Sequence, residues 1–90
     1  MTSILRTAVA GTLESSDAYV TVEPAETVDI TVESAVSAQF GPAIRKSVEE
    51  LLQQYGITGV KLRLTDRGAL DFVLRARVET ALKRATEVRK

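Results

Sequence analysis

The spacing of apolar residues changes along this chain, and that change limits the folds open to it. Ala18, Val20 and Val22 alternate with Tyr19, Thr21 and Glu23; Val28, Ile30 and Val32 alternate with Asp29, Thr31 and Glu33. A period of two puts one side of a segment in a core and the other in water, as in a strand of a one-sided sheet. From Val36 the spacing becomes three or four, through Phe40, Ile44, Val48, Leu51, Leu52 and Tyr55. That is the stripe of an amphipathic helix, closed by Gly56. Alternation returns at Val60, Leu62 and Leu64. A second helical stripe then runs through Leu70, Val73, Leu74, Val78, Ala81, Leu82 and Ala85.

Turn residues set the boundaries. Residues 7–13 read as a first strand, followed by the small polar group Glu14-Ser15-Ser16-Asp17. Two strands joined by such a group predict a hairpin with 14–17 at its exposed tip. Pro24 ends the second strand. A helical element is expected over 35–55, either starting at Pro42 or kinked at Gly41-Pro42, because proline disfavours the helical conformation of the residue before it. Asp66-Arg67-Gly68 reads as a turn. Asp71 with Arg75, and Glu79 with Lys83, have the spacing and order of helix-stabilising pairs. The order β-β-β-α-β-α predicts an α+β two-layer domain, a mostly antiparallel sheet with two helices packed on one face. At 90 residues the chain is expected to be one domain, 1–90, with 1–6 and 86–90 frayed.

Missing residue types narrow the chemistry. The chain has no His and no Cys. That removes the usual general base near neutral pH, Ser-His and Cys-His nucleophile pairs, and His/Cys zinc sites. Any thiol this protein uses must come from outside. The absence of disulfides fits a cytoplasmic setting, and no apolar run has the length of a membrane span or signal peptide. No metal site is expected.

Formal net charge is zero, yet residues 1–40 carry one basic and six acidic groups, and 41–90 carry eleven basic and six acidic. Two solvated surfaces explain this more simply than an acidic docking face. The basic residues of the second helix alternate with Asp71, Glu79 and Glu87 and lack aromatic stacking partners, which argues against nucleic acid. Asp29 and Glu33 share a strand face, but at about 3.3 Å per residue their backbones lie about 13 Å apart, far for an acid/base pair. The five glycines are too scattered for a phosphate loop. Ser15 and Ser16 are exposed hydroxyls at a hairpin tip. Without a histidine neither is an activated nucleophile, but either could be the substrate of another enzyme; most serines in such places are turn residues only.

Ala8-Val9-Ala10-Gly11-Thr12-Leu13-Glu14-Ser15-Ser16-Asp17 resembles the N-terminal motif of the citrate lyase acyl carrier proteins, the gamma subunits of that complex. The similarity continues at Gln39-Phe40-Gly41, Ala43-Ile44-Arg45 and Gly59-Val60, then through Gly68-Ala69-Leu70-Asp71 and Leu74-Arg75-Ala76-Arg77-Val78-Glu79. The resemblance implies a non-catalytic carrier subunit. It implies that Ser15 bears 2'-(5''-phosphoribosyl)-3'-dephospho-CoA through a phosphodiester, installed by a dedicated transferase. The thiol of this arm would carry acetyl and citryl thioesters between the alpha (transferase) and beta (lyase) subunits, cleaving citrate to acetate and oxaloacetate. The family pattern has glycine where this chain has Ser16. A serine is tolerated there if no positive φ is needed, and the second hydroxyl is the alternative attachment point. Carriers of citramalate lyase or malonate decarboxylase are related possibilities. An unmodified interaction or scaffold domain is the reading from another class.

Overall fold

The computed structural model describes residues 3–34 and 41–86. Strands β1 (Ala8–Gly11), β2 (Ala18–Glu23) and β3 (Val28–Ser34) precede helix α1 (Gly41–Gln54), strand β4 (Val60–Asp66) and helix α2 (Asp71–Thr86). The sheet order is β1-β2-β4-β3. β1 with β2 and β2 with β4 are antiparallel, whereas β3 with β4 is parallel. The α+β order, the mostly antiparallel sheet and the two helices are as expected from the period changes.

Register explains the core. Ala8, Val22, Leu62 and Ile30 form one row across the sheet, and Ala10, Val20, Leu64 and Val32 the next. From the other layer, Ile44, Val48, Leu51 and Leu52 of α1 and Leu74, Val78, Ala81, Leu82 and Ala85 of α2 are buried against them. The solvent face carries the intervening row Val9, Thr21, Arg63 and Thr31, with Glu23, Lys61 and Asp29 beyond it. The acids of β2 and β3 therefore flank the cations of β4. The acidic first half of the sequence does not fold into an acidic face.

Several boundaries sharpen. Helix α1 begins at Gly41, with Pro42 in its first turn, where a missing N–H costs nothing. The expected extension over 35–40, including Val36 and Phe40, lies outside the described residues. The helix ends as Gly56 adopts φ 65° and Ile57 donates its N–H to the Leu52 carbonyl at 2.9 Å. Leu70 leaves the expected stripe: it precedes α2 and is 64% exposed. Asp71 and Arg75 pair at 2.8 Å, but Glu79 and Lys83 form no salt bridge. At the start of the chain, Ile4 is buried and Leu5 donates its N–H to the Ala85 carbonyl at 2.8 Å. Arg6 adds a bond to the Arg84 carbonyl at 2.7 Å. Residues 3–6 are therefore tied to the end of α2 rather than loose, and Thr86 is still helical. The outermost expected fraying, at 1–2 and 87–90, lies outside the described residues. Among the described residues, no helix is long and apolar enough to cross a membrane.

Candidate attachment site

Both parallel strands end, and α2 begins, at the end of the sheet that carries the β1–β2 tip, since Ala18 and Ser34 both pair with Asp66. Ser15 sits at the second position of the turn Glu14–Asp17, closed by the Asp17 N–H donating to the Glu14 carbonyl at 3.2 Å. The third position, Ser16, has φ 66°. Its N–H donates to the Arg67 carbonyl at 2.8 Å, and the Arg67 N–H donates to the Asp17 carbonyl at 2.9 Å. Two residues thus oppose one, with the first in the left-handed region. This is a G1 bulge, which normally places glycine at that first position. The proviso on Ser16 therefore fails: the backbone does require a positive φ there, and a serine supplies it at a steric cost.

Asp17 secures the tip to the helix layer. Its carboxylate accepts Arg77 Nε at 2.9 Å and Nη2 at 3.0 Å, a two-point contact with α2. It also accepts Thr12 Oγ1 and the Ala18 N–H, each at 2.7 Å. Arg77 foremost, then Thr12 and the Ala18 N–H, holds the Asp17 carboxyl well below the usual carboxylate range. Asp17 in turn raises Arg77. Thr12 Oγ1 accepts the Glu14 N–H at 3.2 Å as it donates to Asp17. At the base of β1, Gly11 has φ 90°, and a Cβ there would overlap the Ala18 carbonyl oxygen.

Ser15 is exposed, and its hydroxyl takes part in none of these bonds. A rigid frame thus surrounds a free hydroxyl. Ser16 is exposed too, but its backbone is tied into the bulge. Nothing in the local sequence pairs Asp17 with Arg77, since no periodicity links residues sixty apart. The available signal was that one lies in the 8–17 block and the other in the 68–79 block. These two blocks meet here.

Beside the tip, an open apolar cleft of about 520 Å³ lies between the N-terminal halves of the helices, lined by Ala43, Ile44, Ser47, Gly68, Leu70 and Leu74 among others. Its carboxylates are engaged. Asp66 accepts Ser34 Oγ and the N–H groups of Gly68 and Ala69, and Asp71 accepts Ser47 Oγ and Arg75 Nε. Among the described residues the cleft therefore presents no free acid or base. Among the described residues no three potential metal ligands of the His, Cys, Asp and Glu types converge.

Comparison with known proteins matches this chain to a carrier family. The family model described as malonate decarboxylase delta subunit (MdcD) matches residues 5–85. A chain in the crystal structure of a Pseudomonas malonate decarboxylase hetero-tetramer in complex with malonate shares the fold. Its TM-score is 0.77, with 22% identity, and the match covers 93% of this chain and 88% of that one. Within that class the sequence is more specific. The citrate lyase acyl carrier protein of Yersinia enterocolitica is 56% identical, over 93% of this chain and 89% of its own. Those of Haemophilus influenzae and Treponema denticola are 51% and 45% identical, again over 93% of this chain and over 88% and 97% of theirs. The chain belongs to the citrate lyase acyl carrier protein family.

Proposed function

We propose that this chain is the acyl carrier subunit of a citrate lyase and that Ser15 Oγ is the attachment point of phosphoribosyl-dephospho-CoA. The observation that carries the assignment to Ser15 is local. It is the one hydroxyl of the tip that is exposed, outside the hydrogen-bond frame and not at the bulge position. Thr12 is spent on Asp17 and Glu14, and Ser16 is held by its backbone in a left-handed conformation.

The residues present fit such a group. A bulky phosphodiester-linked arm needs an oxygen with open space around it and an anchored backbone beneath it, and both are found at Ser15. When bound, the arm supplies the thiol that the polypeptide lacks. The chain's own contribution is mechanical. The bulge, the Asp17–Arg77 contact and the Arg67 backbone hold the base of the arm still relative to the domain. The domain end around it is compact enough to be presented to other subunits. Alpha and beta subunits and an installing transferase are the partners this reading requires, and a cytoplasmic location goes with it. The malonate decarboxylase likeness keeps one second reading in play, the same carrier chemistry in a decarboxylase. Identities of 45–56% to citrate lyase carriers favour the first.

Intact-mass analysis with peptide mapping of protein from citrate-degrading cells tests the assignment. An adduct on Ser15 is expected, and Ser15→Ala should abolish both adduct and lyase activity while changing stability by less than about 0.5 kcal/mol, as exposed substitutions usually do. An unmodified mass would sink the carrier reading; an adduct on Ser16 would sink only the choice of serine.

A further inference from the structure

We propose that Arg67 is the cationic seat for the phosphodiester carried at Ser15. This rests on the carrier reading of Ser15. The bulge sets Arg67 directly across from Ser16 and Asp17 through two backbone hydrogen bonds, so its backbone lies next to the attachment turn. Arg67 is exposed, and among the described residues its side chain makes no hydrogen bond or ion pair. The neighbouring arginines are otherwise occupied. Arg77 is held by Asp17, Arg75 by Asp71 and Glu50, and Arg84 by the Val9 carbonyl.

Charge makes the placement matter. Ser15 follows Glu14, an exposed carboxylate. A phosphodiester on Ser15 Oγ adds a permanent negative charge beside it. Asp17 adds little further repulsion, because its charge is matched by Arg77. Arg67 is the cation that the bulge sets beside the turn, its side chain unpaired among the described residues, and a guanidinium can offer two parallel N–H donors to two phosphate oxygens. The contact would anchor the root of the arm while leaving its thiol end free to reach other subunits.

The test uses protein loaded by its transferase and reads the ³¹P NMR signal of the phosphodiester. In the wild type the resonance should move as NaCl is raised, because salt screens an exposed ion pair. Arg67→Gln should show the high-salt resonance position already at low salt, and Arg67→Lys should recover part of the shift. Arg63→Gln, on the solvent face of the sheet, should behave as wild type. Circular dichroism would verify that each variant is folded, as expected for exposed positions. An identical resonance and salt response in wild type and Arg67→Gln overturns this inference alone, as does an equal effect from Arg63→Gln. Wild-type chain that emerges from the transferase carrying no phosphorus overturns the carrier reading and this inference with it; phosphorus on Ser16 overturns the choice of Ser15 and this inference.

Discussion

Replacing Ser16 by glycine should stabilise this protein, although it lies beside Ser15, the proposed attachment residue. Ser16 is held at φ 66° by the bulge. An L-residue in that region costs about 1–2 kcal/mol relative to the right-handed one, and glycine escapes that cost. Glycine also gives the unfolded chain more freedom, which returns about 0.4–1 kcal/mol. The hydroxyl contributes nothing in compensation, since the turn is closed by backbone groups. The net gain is therefore about 0.8 kcal/mol, or about 3–6 °C in Tm for a domain of this size. Thermal and urea melts of the unmodified protein, followed by far-UV circular dichroism, would measure it. Ser16→Ala is the control: it removes the hydroxyl but keeps the Cβ, and should gain nothing. Ser16→Gly also leaves a single serine in the turn, so it should still be loaded by the transferase. An equal or lower Tm for Ser16→Gly would refute the strain argument, and loss of loading would place the arm on Ser16.

Acid should loosen the tip. The Asp17 carboxyl is depressed in the folded state, so its contribution is complete above its unfolded value of about 3.9 and is lost as pH falls from there toward the lower folded value. Asp17→Asn should flatten that part of the stability–pH curve, measured by urea melts between pH 2 and 6; an unchanged curve would show that the Arg77 contact is not formed in solution. Leu64 is 1% exposed on the central strand β4, and Leu64→Ala should cost about 2–5 kcal/mol by chemical denaturation. For a domain whose whole stability is about 5–10 kcal/mol, that would bring it near unfolding; a loss below 1 kcal/mol would mean the sheet core repacks freely.

Local features of this chain follow from its amino-acid order alone. A two-residue period in 18–23, 28–33 and 60–65 and a three-to-four-residue period from Ile44 to Leu52 and from Leu74 to Ala85 choose strand and helix, because each segment must bury one side wherever it packs. Turn residues at 14–17 placed the hairpin tip, and Gly56 ended α1. The missing His and Cys ruled out Ser-His and Cys-His nucleophile pairs and His/Cys zinc sites without any structure.

Tertiary structure decided what depends on pairing across the chain. Inserting β4 between β2 and β3 sets Lys61 and Arg63 on the same solvent face as the acids of β2 and β3, so the acidic first half of the sequence does not form an acidic sheet face. Which arginine would find Asp17 could not be read from spacing, since the Arg77 contact bridges sixty residues. Nor could the positive φ at Ser16, which exists because Arg67, just past the end of β4, accepts one N–H and donates its own across two residues of the turn. Strand order and bulge register are long-range choices made by the packing of the whole core. They turn an exposed serine in a polar turn into a hydroxyl fixed on a rigid base.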